Sequence, residues 1–178
     1  MKQLVQMVSS AISKEEQPIS QTTSQQSLAV HKHTTTTILM KPSNELLSIY
    51  NPDKQTEYCT QRERCIVGVA PRMKEVMEVH GSKIAETWLS IQLFNLSEYF
   101  GCKEKLDKMQ IDFLSKSLAW EYRGLRLTEF MLVFYDMKMG KYGKMFGVVD
   151  PCTISEAFDK YHRGERQKAL YEFRLKNK

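Results

Sequence analysis

Beyond residue 72, apolar side chains return every three or four positions, in runs that stop at glycine. That spacing constrains the fold more than any other feature, because it matches one face of a 3.6-residue helix and no strand repeat. Met73, Val76, Met77 and His80 form the first run, with Pro71 suited to an opening helical turn and Gly81 placed to end it. In "SKIAETWLSIQLFNLSEYFG", Ala85, Leu89, Leu96 and Phe100 line one face, and Ile84, Trp88 and Ile91 line the neighbouring one. So broad an apolar arc puts this helix at the centre of the core. Ser82 is its expected cap and Gly101 its expected left-handed terminus.

The third helix carries a capping-box pattern, Asp107 followed by Gln110, with Leu106 and Ile111 at the staple positions. Its stripe continues through Phe113, Leu114, Leu118 and Tyr122, and Trp120 extends the apolar surface. The fourth opens at "LTEFML" with Thr128 as expected cap and runs to Gly140. The fifth has two start signals, Asp150-Pro151 and Thr153 with Glu156, and extends to about residue 174. Ile154, Phe158 and Tyr161 are expected to pack inward, with Leu170 and Phe173 as later anchors. The fold class is therefore all-α, a compact bundle of about five helices.

Upstream the composition changes. "SKEEQPISQTTSQQS" and "HKHTTTT" are rich in Ser, Thr and Gln and poor in aromatics. Such sequence buries too little apolar surface to offset its ordering entropy. Residues 1–60 accordingly read as a largely disordered, low-complexity arm and 61–178 as the helical domain with a basic C-terminal helix. Within the arm, Leu4, Met7, Val8, Ala11 and Ile12 fit a short amphipathic turn, and "TTTTILM" has the β-branched character of an edge strand. "CIVGVAPR" reads as an extended lead-in to the first helix.

Charge narrows the function classes. The arm is balanced, with five basic and five acidic side chains, so the whole excess of +5 lies in 61–178. That mild excess permits contact with nucleic acid or an acidic protein. Four cysteines without a C-x-x-C pair read as free thiols in a reducing cytosol, and neither a secretory signal nor an apolar stretch of membrane-spanning length is evident. A cytoplasmic location follows as the expectation.

The segment "GKYGKMFGVVDP" invites a phosphate-cradle reading, but Met145 stands where a Walker A loop needs Ser or Thr, and no two glycines are separated by one residue. "GKYG" matches the G-x-x-G clamp of KH domains, yet no strands flank it. A plain helix–helix connector is the simpler account, with Met145, Phe146, Val148 and Val149 tucked onto the core. The functional account is a loop presenting Lys138, Lys141, Tyr142 and Lys144 to an anionic partner, joined by Arg123 and Arg126 from the preceding hairpin. The C-terminal run "KYHRGERQKALYEFRLKNK", with seven basic and two acidic side chains, adds Arg163 and Arg166.

His31 and His33, and Cys59 and Cys65, have spacings looser than zinc sites use. His80, on an apolar face, reads as a satisfied core or boundary histidine rather than a base. No nucleophile elbow, zincin helix or paired carboxylate emerges, so the expectation is a protein that is not an enzyme and uses neither cofactor nor metal.

From "LTEFMLVF" through the loop to "ISEAFDKYHRGER" the sequence resembles a family of small helical proteins, a domain of unknown function found in gut anaerobic bacteria, their prophages and mobile elements. Its members show G-[K/R]-Y-G-x-[F/M]-[Y/F]-G-x-[V/I]-D-P between an L-x-x-x-E-[L/F]-x-L-F helix and an I-x-x-[A/L]-[L/F] helix. The upstream "ETWLSIQLFNLSEYFGCKEKLDKMQ" is similar to the same family's W-x-x-x-Q-L-x-x-L run, so the likeness covers about residues 68–167. The family brings no activity with it; its small helical form and mobile-element setting are similar to those of helicase loaders, and with the local charge this gives the expectation of a non-enzymatic replication accessory whose partner is a replicative helicase or DNA. The rival expectation is a protein–protein adaptor or small structural subunit that never touches nucleic acid.

Overall fold

Apolar periodicity calls for five helices downstream of residue 70, and the computed structural model contains all five. It describes residues 32–177. The described part begins with α1 (32–39), α2 (Ser43–Ile49), a 3₁₀ turn at Pro52–Lys54, α3 (Gln55–Cys59) and α4 (Arg62–Val67). The periodic helices follow as α5 (Met73–His80), α6 (Ser82–Tyr99), α7 (Lys108–Glu121), α8 (Leu127–Lys138) and α9 (Pro151–Lys160). The last continues through a π turn at Tyr161–Glu165 into α10 (Arg166–Lys176). The fold is all-α; among the described residues the only β pairings are isolated bridges, Arg72 with Arg126 and Glu104 with Val148.

The start of the ordered fold differs from the compositional boundary. Residues 32–60, assigned to the arm by their polar composition, are largely helical. "TTTTILM" lies in and just after α1 rather than in a strand, and Cys65-Ile66-Val67 end α4 rather than forming an extended lead-in. The cause is a sparse set of anchors that average composition hides. Leu46, Tyr50 and Cys59 are buried in the main core, and Ile38, Leu39 and Tyr58 pack against it. The expected disorder and amphipathic turn of residues 1–31, and His31, lie outside the described residues.

The core is built around α8, the most apolar helix, which buries Phe130, Met131, Leu132, Val133 and Phe134 completely. Phe158 of α9 meets Phe130 and Phe134 at 5.3 Å between centroids, and Trp88 of α6 stands edge-on to Phe130 at 6.0 Å. Ile154 and Tyr161 point inward as the spacing predicts, and Leu170 and Phe173 are half-buried anchors. Three residues of the expected apolar stripes instead face solvent: Ile91, Phe113 and Trp120.

Local chemistry sets the helix ends. The Asp107–Gln110 box is complete, each side chain taking the other residue's backbone N–H at 2.7 and 2.9 Å. Asp150 starts α9 by accepting from the backbone N–H groups of Cys152 and Thr153. Thr128 is not a cap: Arg126 holds that position, and the Thr128 hydroxyl donates to the Cys65 carbonyl at 2.8 Å. Ser82 is likewise the first residue of α6, preceded by Gly81 at φ +86°, and makes no capping bond. Gly140, at φ +78°, ends α8 where a side chain would be strained. In the loop beyond, Val149 is buried and Met145 packs on the core, but Phe146 and Val148 are exposed. His80 is satisfied only in part: Nδ1 bonds Ser43 Oγ at 3.1 Å, while Nε2 is buried without a partner.

Candidate functional site

The basic side chains singled out from the sequence fall into separate settings. Lys141 and Tyr142 meet at Glu165 of the π turn, where Tyr142 Oη donates to Oε1 at 3.0 Å and Lys141 Nζ donates to Oε2. Lys141 also reaches Asp136 Oδ2 at 3.0 Å. Asp136 itself is clamped by Arg62 through two parallel bonds of 2.7 and 2.6 Å. These side chains form one charge network joining α4, α8, the 140–147 loop and the π turn.

A second, deeper network lies beside it. Glu129 is 0% exposed, yet both carboxylate oxygens are satisfied. Oε1 accepts from Tyr161 Oη at 3.0 Å and Arg166 Nε at 2.7 Å; Oε2 accepts from the Arg126 backbone N–H at 2.8 Å. The Arg126 side chain turns elsewhere and donates to the carbonyls of Ile66 and Ala70. Arg126 and Arg166 are thus internal fasteners, consistent with the preference for guanidinium wherever fixed forks must meet oxygen acceptors.

Lys138 is held on another face. Its ammonium donates to Gln55 Oε1 at 2.7 Å and to Asn95 Oδ1, and lies 5.3 Å from the Tyr99 ring centroid. It borders a cleft of about 510 Å³ with Pro52, Asp53 and Tyr135. Burial pulls the amine below its ordinary pKa, and the Asp53 charge works against that shift. Of the remaining three, Arg163 pairs with Asp159 at 2.6 Å, and Arg123 sits over Trp120 at 5.0 Å. Lys144 is exposed and makes no hydrogen bond or ion pair among the described residues.

The α8 carboxylates of the two networks, Glu129 and Asp136, are not among the site residues expected from the sequence, where Glu129 pairs at most with Glu121 across a hairpin. A signal was present: in "LTEFMLVFYDMK" they are the carboxylates of an otherwise apolar helix, seven residues apart and hence on one face. Arg62 gave no comparable signal, since "QRERC" is locally an ordinary charged stretch. Among the described residues no three His, Cys, Asp or Glu side chains gather as a metal-ligand set.

Asp136 carries a pH dependence. Burial alone would raise its carboxyl, but the hydrogen bonds and charges of Arg62 and Lys141 hold it below the ordinary range. A depressed folded-state pKa adds stability that is fully present above the unfolded value, about 3.9, and is lost as pH falls through the folded one. Urea unfolding between pH 6 and pH 2 should therefore show a decline below about pH 4 that is shallower in Asp136→Asn. Parallel curves for the two proteins would show that Asp136 does not titrate this way.

Apolar surface supplies the remaining candidate. Along α7, Met109, Phe113 and Trp120 are 76%, 69% and 64% exposed. Spacings of four and seven residues place them in one stripe. Ile91 and Phe94 are exposed on α6, which packs beside α7. No described helix is long and apolar enough to cross a membrane. Comparison with protein-family models, curated proteins and solved structures finds no match.

Proposed function

We propose that the protein is a non-enzymatic helical adaptor that binds another protein through the outer face of α7. The observation that carries this reading is the Met109–Phe113–Trp120 stripe. Isolated exposed apolar residues are ordinary, but large ones aligned on a helix mark contact surfaces. Aromatic and methionine side chains are also those that anchor interfaces. Phe113→Asp with Trp120→Ala should reduce binding of the native partner more than tenfold, as loss of hot-spot side chains does. Folding stability should change by only about 0.5 kcal/mol for exposed positions. A photoreactive residue at 113 or 120, irradiated in the producing cells, should trap a discrete protein. A chain that traps nothing from either position, though intact and folded, overturns the adaptor reading.

The replication-accessory reading, with family membership and a replicative helicase or DNA as partner, has one feature in its favour. Helix α10 presents Lys168 and Arg174 to solvent, and Lys144 and Arg123 are also exposed. DNA affinity measured against salt separates the two accounts: binding that steepens as salt falls, and weakens when Lys168 and Arg174 become Glu, favours nucleic acid.

A further inference from the structure

We propose that the outer face of α7 binds the same face of a second copy of this chain, the two helices running antiparallel about a twofold axis. The inference rests on the adaptor reading of this face and names its partner. Met109, Phe113, Lys116 and Trp120 follow one another at intervals of four, three and four residues, the spacing of a two-helix seam. All four are exposed. Lys116 makes no hydrogen bond or ion pair among the described residues, so a purely apolar partner would strand its charge in the middle of the contact. Asp112, one turn earlier, commits only Oδ2, to Lys108 at 3.0 Å, and keeps its other oxygen open. A partner for this face must therefore bring large apolar side chains together with one acidic and one basic group, and α7 itself carries that set.

Register fixes the orientation. Antiparallel helices centred between Leu114 and Ser115 set Met109 level with Trp120 of the second copy, and Phe113 level with Lys116, each pair occurring twice by symmetry. A thioether against an indole and an ammonium over a phenyl ring are both attractive contacts. Asp112 then stands level with Ser117 of the second copy, one residue or about 1.5 Å of rise from Lys116. Two symmetric ion pairs close the seam. A parallel alignment would instead set Asp112 beside Asp112 and Lys116 beside Lys116, so charge selects the antiparallel one. The alternation of Lys108, Asp112 and Lys116, with Glu121 beyond, equally disfavours a phosphate backbone or an anionic bilayer, which needs one sign of charge. Phe and Trp side chains bury about 150–250 Å² each, so two copies of the seam approach about 1,000 Å², the lower bound of specific interfaces. Such a dimer forms and dissociates with concentration.

The test is sedimentation velocity of the full chain from low to high micromolar concentration, where monomer should pass to dimer. Asp112→Lys alone, or Lys116→Asp alone, should weaken self-association by at least about tenfold, since like charges then meet twice. The two variant chains mixed should form the dimer that neither forms by itself, and the double swap on one chain should restore it. A photoreactive residue at 109 fixes the direction: antiparallel pairing joins it to tryptic peptide 117–123 of the second copy, whereas parallel pairing joins it to 109–116. A dimer indifferent to the charge swaps, one that persists when Phe113→Asp is combined with Trp120→Ala, or one that joins 109 to 109–116 overturns the proposal. A parent chain that stays monomeric throughout overturns it too, whether or not the variants fold. In that last case, trapping of a different protein from position 113 in cells leaves the adaptor reading standing, and trapping of nothing removes both.

Discussion

Replacing Glu129 with alanine is expected to lower the unfolding free energy by about 3–5 kcal/mol, the range for removing one partner of a buried ion pair. The loss is large because three groups depend on this carboxylate. Arg166 Nε, Tyr161 Oη and the Arg126 N–H all donate to it, and it is wholly shielded from water. Deletion leaves a half-buried guanidinium without its counter-charge and a backbone donor at the start of α8 without its acceptor. In thermal unfolding the shift should be roughly 10 °C for a chain of this size. Introducing Arg166→Met beside Glu129→Ala should cost less than the two changes summed, since the second removes the charge that the first stranded. A single-variant cost below about 1 kcal/mol, the scale of a solvent-exposed pair, would show that the Glu129 network does not hold α10 and the π turn in place.

The five downstream helices were legible because their signals are local. The Asp107–Gln110 box, the Asp150-Pro151 start and the glycines at 81, 101 and 140 each act within a few residues, and each stands where the pattern puts it. The functional surface was harder to read because charge in sequence does not show how charge is spent. Lys141 and Tyr142 look like a displayed pair, but their partner Glu165 arrives from 23 or 24 residues away. Arg126 looks like part of a basic hairpin, yet its side chain closes on carbonyls 56 and 60 residues upstream. Conversely, Phe113 and Trp120 extend a valid apolar periodicity onto a face that no described helix covers. Periodicity reports that a side chain is apolar and on which face it lies, not whether a neighbour exists there.

A chain beginning at residue 61, where the composition changes, should fail to fold cooperatively, whereas one beginning at 32 should unfold in a single transition. The reason is a relay of polar bonds that crosses the compositional boundary. Lys138 donates to Gln55, Gln55 donates to Gln92 at 2.7 Å, and Gln92 and Trp88 both donate to the Tyr50 carbonyl, at 2.9 and 2.8 Å. Without residues 50–55, Trp88, Gln92 and Lys138 lose acceptors inside a formerly buried layer, and unsatisfied buried polar groups cost about 1–3 kcal/mol each. The same deletion removes Leu46, Tyr50 and Cys59 and bares the apolar surface of α6 and α8 they covered. Each large side chain lost adds about 1.5–3 kcal/mol. Together these losses rival the whole stability of a domain, about 5–15 kcal/mol. Circular dichroism should show helix retained with a broad, shallow melt, and an apolar dye should bind the shortened chain but not the longer one. If the chain from 61 instead melts as sharply as the chain from 32, α1 to α3 are an appendage, and the core closes without the Tyr50–Gln92–Gln55–Lys138 relay.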